Sequence, residues 1–354
     1  MSFLSSGNYA SINAKVRALK SRMLTIGDYE KLVQAVDVDE TVRLLNATSY
    51  GEVLSKADLR FPLDTVEVDK LLSGEINKTL DLVISASPFN VRSYLKPYQK
   101  KLYYDNLILL INAVHFKTPA QTVLQYLIPL SPQEMDEYKN LLNLQTVYQV
   151  IDLIKDPETK QILLGAMPDY ESLNLPIVFE AALERSVYKT LWRKIVTLNA
   201  TDRRYAQKLI GTKIDVMNML IIMRAKSQGL QPQTIENLIL PIFFRAENSI
   251  IESIAARDIE EVLNILSVSE YKYLAYTAKE AYGHNKSISA IEHAFEEYTT
   301  QLAYTLMIGD PFHIGVPISF LDLKKNEVRN IKIILFGKVE KVEPRVIREL
   351  IIIF

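Results

Sequence analysis

The chain contains no cysteine. Disulfide frameworks, thiol nucleophiles and cysteine-ligated zinc or iron–sulfur sites are therefore excluded together, and a reducing compartment fits. Glycine and proline are scarce, at 11 and 14 of 354 residues. A sandwich or barrel needs many more turns than that, so an all-α fold of long helices with few connections is expected. Neither sign of charge dominates: 41 Lys+Arg stand against 42 Asp+Glu, a formal net charge of -1. A dedicated nucleic-acid binder would show a basic excess, so no nucleic-acid partner is expected. No apolar run approaches the roughly 18 residues of a membrane span; the longest, such as residues 238–244, are far shorter. Residues 1–10 lack the charged-then-apolar order of a secretory signal. The expectation is a soluble protein, or one peripheral to a membrane.

Motifs of chemistry are missing as well. There is no Gly-x-x-x-x-Gly-Lys-Ser/Thr loop, no Gly-x-Gly-x-x-Gly and no Gly-x-Ser-x-Gly elbow. Neither nucleotide hydrolysis nor direct nucleotide binding is expected. The four histidines, His115, His284, His293 and His313, include no pair at the i, i+3 or i+4 spacing that aims two ligands at one metal. The acidic pairs Glu260/Glu261 and Glu296/Glu297 fall in helical stretches, where neighbours diverge by about 100° and cannot share a substrate as acid and base. No catalytic residue, cofactor or metal is assigned.

What is present is apolar material, 48% of residues, enough for cores in two or three domains. Ile12, Val16, Leu19 and Met23 form a helical stripe, with Lys15, Arg17, Lys20 and Arg22 between them. Those cations suit a solvated face or a docking face for an acidic partner. Gly27 followed by Asp28 reads as a helix stop and a new N-cap, and Asp37 with Glu40 as a capping box ahead of Val42, Leu44 and Leu45.

The most informative feature is an internal repeat. Asn106, Asn218 and Asn330 are spaced by 112 residues, and each opens a similar run ending in a small residue: Ala113, Ala225 and Gly337. Three residues before each Asn stand Tyr103, Asp215 and Glu327. The same offset aligns Leu71 with Leu183 and Phe295, Glu180 with Glu292, and Pro129 with Pro241. Each unit is expected to centre on a helix apolar nearly all round, with the Asn as its buried polar exception. The Asn then needs hydrogen-bond partners from neighbouring helices, because an unpaired buried amide costs about 1–3 kcal/mol. The small residue seven positions on would let another backbone come close. The period is too long for solenoid repeats of roughly 20–50 residues, so whole domains are expected, approximately 1–118, 119–230 and 231–354. Three like domains can close around a pseudo-threefold axis as a ring, cup or funnel.

Several segments resemble one family. Residues 9–24, Tyr-Ala-Ser-Ile-Asn-Ala-Lys-Val-Arg-Ala-Leu-Lys-Ser-Arg-Met-Leu, are similar to the opening helix of the C subunit of A/V-type rotary ATPases, the relative of the d subunit of eukaryotic V-ATPase. Tyr29-x-x-Leu32 and Leu45-x-x-Thr48-x-Tyr50 resemble its next helices. Asp215-x-x-Asn218 through Arg224-Ala-Lys226 resembles its central helix, and Gly315-Val-Pro317 with Glu327-Val-Arg-Asn330 through Gly337-Lys338 its carboxy-terminal signature. The first repeat departs, with Asn112 where Arg224 stands in the second. The resemblance implies a non-catalytic central-stalk rotor component on the cytoplasmic face of the membrane, between the ring of proteolipid subunits and an axle formed by the D and F subunits. It would transmit torque between ATP turnover and proton or sodium transport. Candidate contacts to those partners are Lys15, Arg17, Lys20, Arg224, Glu327 and Arg329, with Asn106, Asn218 and Asn330 as structural repeat positions. The residues alone leave open a free-standing helical adaptor that binds a partner in a central cavity, or an enzyme with an unfamiliar helical site.

Overall fold

A computed structural model describes residues 3–55, 65–124, 127, 129 and 131–354, and among these every regular element is a helix. The chain opens with α1 (Phe3–Lys20), α2 (Ile26–Gln34), α3 (Val38–Asn46) and α4 (Gly51–Leu54). Next come α5 (Thr65–Ala86), α6 (Phe89–Phe116), α7 (Ala120–Leu124), α8 (Pro132–Leu142) and α9 (Val147–Leu153). They are followed by α10 (Pro157–Leu173), α11 (Ile177–Ile195), α12 (Ala200–Ala206), a π-helical turn Gln207–Gly211, α13 (Thr212–Ser227), α14 (Pro232–Leu238), α15 (Glu247–Ala255) and α16 (Ile259–Leu266). The last four are α17 (Lys272–Asn285), α18 (Ile288–Ile308), α19 (Gly315–Val339) and α20 (Pro344–Leu350). Two compact units form, one of Met1–Lys155 with Leu306–Phe354 and one of Asp156–Thr305.

The 112-residue offset reappears in backbone detail. Lys117, Gly229 and Lys341 are all left-handed, with φ of 53°, 72° and 55°. Each ends a long helix in the same cap, in which the N–H of Thr118, Leu230 or Val342 donates to the carbonyl of Ala113, Ala225 or Gly337 at 2.8, 3.0 and 2.7 Å. A short helix then restarts at Ala120, Pro232 or Pro344. The chain thus reverses at the same point of each repeat, and α6, α13 and α19 serve as the central helices. The residues of α13 and α19 are buried nearly all round, as expected of a central helix.

Caps set several starts. Asp37 accepts from Glu40 N–H at 2.9 Å, and Glu40 reaches back to Val36 N–H at 2.7 Å. Thr146 with Gln149 and Asp258 with Glu261 build the same device at the starts of α9 and α16. At α2 the cap is Thr25, not Asp28: Asp28 is the third helical residue and accepts from the Thr25 backbone and hydroxyl, so Gly27 lies inside the first turn. In α1, Ile12 and Val16 are fully buried while Lys15 and Arg17 are exposed, but the helix ends before Met23.

At two glycines a neighbouring side chain comes close. A Cβ on Gly211, in the π-helical turn, would stand 2.5 Å from Phe244 Cγ, and one on Gly337 would stand 2.7 Å from Ile347 Cδ1. The neighbour of Gly337 is therefore the side chain of Ile347 from α20, where the sequence suggested another backbone.

Candidate functional site

The repeat residues gather at two polar nodes buried against the central helices. In the second unit, Asn218 on α13 is fully buried and paired with the backbone after α14. Its Nδ2 donates to the carbonyls of Leu240 and Ile242 at 2.9 and 3.3 Å, and its Oδ1 accepts from Leu240 N–H at 2.9 Å. In the first unit, Asn330 on α19 repeats this pairing with Ile352, donating to its carbonyl at 2.6 Å and accepting from its N–H at 3.1 Å. In both, the partner lies 22 residues on. The partners are thus extended segments beyond the short helices α14 and α20, not the neighbouring helices that were expected. Asn106 on α6 is 2% exposed and donates to Tyr138 Oη at 3.2 Å.

A second buried polar position lies three residues earlier, where the sequence had suggested only the Asn. Asp215 accepts from the N–H groups of Phe244 and Arg245, each at 2.9 Å, and from Tyr271 Oη at 2.7 Å. Burial raises the Asp215 carboxyl above its usual range, against the pull of these donors. Glu327, 1% exposed, accepts from Leu24 N–H at 2.7 Å and from Tyr50 Oη at 2.6 Å, with Lys324 Nζ at 2.8 Å. Burial and the adjacent carboxylate push the phenols of Tyr50 and Tyr271 well above the ordinary tyrosine value, so both act as donors throughout the physiological range.

Glu327, a candidate for partner contact on sequence, is enclosed, and its charge is satisfied inside the fold. Arg224 is also engaged internally. Its Nη1 meets Glu180 of α11 at 2.8 Å and its Nε meets Glu292 of α18 at 2.7 Å. These are the two glutamates that the 112-residue offset aligns, so one arginine ties equivalent positions of two repeats. Desolvation opposes its charge, but Glu180 and Glu292 outweigh it and hold the guanidinium above the usual arginine range. Arg329 is half-buried on α19, Lys20 half-buried at the end of α1, and Lys15 and Arg17 exposed on α1.

Two lysines named in the sequence only as parts of longer motifs turn out to hold a position of their own. Lys338 at the end of α19 is 8% exposed and donates to the carbonyls of Val33 and Ala35, each at 2.6 Å. Lys226 at the end of α13 donates likewise to Ile254 O at 2.7 Å. Burial lowers both ammonium groups from the ordinary lysine value. The signal was available in the 112-residue spacing of these two lysines.

Chemically, these nodes consist of carboxylates, phenols and amides whose bonds go to backbone and to one another. Such an arrangement fixes the angle between helices. Among the described residues no group of three metal-ligating side chains gathers, and no helix is long and apolar enough to cross a membrane.

Residues 12–350 match the family model described as ATP synthase (C/AC39) subunit. Relatives named as the C subunit of A-type ATP synthase include that of Methanocaldococcus jannaschii, 28% identical over 97% of this chain and 86% of its own length. Those of Methanothermobacter thermautotrophicus and Thermococcus kodakarensis are 25% and 24% identical, covering 94% and 97% of this chain and 84% and 90% of theirs.

Proposed function

We propose, since the chain belongs to the ATP synthase (C/AC39) subunit family, that this component of a rotary ATPase is the non-catalytic coupler of the rotor. The match across residues 12–350 carries the reading. In this role the protein joins the membrane proteolipid ring to an axle of the D and F subunits on the cytoplasmic face, and passes torque between ATP turnover and proton or sodium transport. The role asks for a cavity that takes the axle, which three like repeats closed about a pseudo-threefold axis into a funnel would supply.

The geometry supports a torque-bearing part. A coupler must resist twisting, and a helix whose buried polar groups are each held by two or three directed bonds cannot rotate against its neighbours without breaking several at once. Asp215, Asn218, Glu327 and Asn330 place such bonds on α13 and α19. Lys15, Arg17, Lys20 and Arg329 remain the candidates for partner contact, and Arg224 acts through its ties to Glu180 and Glu292. Exposed charges such as Lys15 and Arg17 set register and rate of docking more than affinity.

The test is affinity purification of the tagged protein from detergent-solubilised native membranes, with identification of the copurifying chains and an ATPase assay of the eluate. Ring, axle and head subunits with ATP hydrolysis are expected. Reproducible recovery of other soluble partners in their place would overturn the reading.

A further inference from the structure

A second register runs through the fold, at 221 residues, and it relates the first helices of the chain to α15 and α16. Asp258 and Glu261 cap α16 as Asp37 and Glu40 cap α3, down to the N–H of the preceding residue, Arg257 or Val36, given to the glutamate. Ser269 Oγ accepts from Tyr271 N–H and donates to Leu266 O, as Thr48 Oγ1 accepts from Tyr50 N–H and donates to Leu45 O.

The match extends to the central helices. Arg245 N–H and Tyr271 Oη close on Asp215, and Leu24 N–H and Tyr50 Oη close on Glu327. Lys226 donates to Ile254 O, and Lys338 to Val33 O. The same set of closing bonds is made in both places, but the chain order differs. In the second unit the closing segment follows its central helix, with Tyr271 lying 56 residues after Asp215. In the first unit it precedes the helix by most of the chain, with Tyr50 lying 277 residues before Glu327.

We infer that residues 22–55 are the displaced closing segment of the third repeat, a strap clipped to α19 by Glu327 and Lys338 and detachable without unfolding the remaining helices. The register also states where chain continuity would fall. Ile242, two residues past the clamp on Asn218, corresponds to Phe354, and Arg245 corresponds to Leu24. Only Phe243 and Phe244 lie between Ile242 and Arg245, so in a continuous repeat Phe354 would be joined directly to Arg22. On this reading α1 is an addition outside the repeat, and the clasp is a device that opens the junction between the two ends of the chain.

The experiment places a site-specific protease sequence within residues 56–64 of the full-length protein, after the last described residue of the strap. The native protein is cleaved, and the N-terminal fragment is followed by size-exclusion chromatography. The fragment is expected to remain bound after cleavage, and its dissociation to accelerate at least about tenfold in Glu327→Gln and in Lys338→Met, which each remove charge-assisted bonds. A permutant ordered 1–21, flexible linker, 56–354, 22–55, with no linker between Phe354 and Arg22, provides the second reading. It is expected to show the same slow amide exchange at Leu24, whose N–H is held by Glu327, as the natural order. The inference is overturned if the fragment leaves the unsubstituted protein as soon as the chain is cut, if both substitutions leave its release unchanged, or if the permutant loses that protection while remaining helical.

Discussion

Replacing Asn218 by alanine removes three hydrogen bonds. Leu240 N–H is stranded, while Leu240 C=O keeps Ile242 N–H at 2.7 Å; Leu240 is 1% exposed, so water does not reach the N–H without movement of the loop. A stranded buried group costs about 1–3 kcal/mol and each further lost bond about 0.5–1.5 kcal/mol, which puts Asn218→Ala at about 2–4 kcal/mol once partial relaxation is allowed. The Leu240 segment is tethered on both sides, by α14 and α15, and cannot swing out cheaply. Asn330→Ala strands the Ile352 N–H, while the Ile352 carbonyl keeps Asn326 Nδ2 at 2.8 Å, so about 1–3 kcal/mol is expected. Urea unfolding gives the global change, and native-state amide exchange at Leu240 gives the local one. For Asn218→Ala the Leu240 opening constant should rise on the order of 100-fold, from the relation of about 1.4 kcal/mol per tenfold. Asn218→Asp adds a test of sign. Its ionised form points an oxygen at the Leu240 carbonyl, whereas the protonated acid can donate there as the amide does. Its folded pKa is therefore raised, and the deficit should shrink as pH falls through that pKa. Unchanged protection at Leu240, with a global loss under about 1 kcal/mol, would refute the clamp as an energetic element.

Arg224→Met leaves Glu180 and Glu292 facing each other without their shared cation; because all three side chains are about one-third exposed, the expected loss is only about 1–2 kcal/mol and should fall with added salt in urea titrations. Gly211→Ala should cost about 1–3 kcal/mol, since the new Cβ meets the ring and stem of Phe244, while Gly337→Ala should cost less because it meets the flexible tip of Ile347; thermal midpoints of the two variants check the order. Asp28→Ala should lower stability at neutral pH by about 1 kcal/mol through the lost capping box. The Thr25 backbone and hydroxyl bonds depress the Asp28 carboxyl below the ordinary aspartate value of 3.8, so this contribution is present above that pH and lost as pH falls through the folded pKa. The gap between variant and parent should therefore close in strong acid.

The sequence carried the repeat because the positions that define it tolerate few residue types. A buried amide at Asn218 or Asn330 must both donate and accept, and the position seven residues on must be small, since the Gly337 Cβ site is filled by Ile347. Capping boxes at Asp37 and Thr146 were equally legible or could have been, because they are local. Glu327 misled for the opposite reason. A glutamate beside Arg329 looks like a surface charge until Tyr50 and Leu24, from the far end of the chain, are placed against it. The 221-residue register was present in Asp37/Asp258, Glu40/Glu261 and Tyr50/Tyr271, but a search for one constant offset passes over a repeat whose parts have changed order. Arg224 shows a third case: Glu180 and Glu292 were aligned as equivalents, and only packing reveals that one arginine holds both.

The long reach of the strap has a price in time. Its bonds to α19 join residues 274 to 305 positions apart. At a synthesis rate of about 5–20 residues per second, the first helices emerge roughly 15–60 s before their partner exists. Helices of nine residues such as α2 and α3 are marginal on their own, so the apolar face that includes Leu32, Val33, Val42 and Leu45, all buried in the finished fold, is left without cover. Through that interval the nascent chain presents this face to solvent, to chaperones or to a neighbouring chain on the same message. The strap thus waits for its cover until α19 has been made.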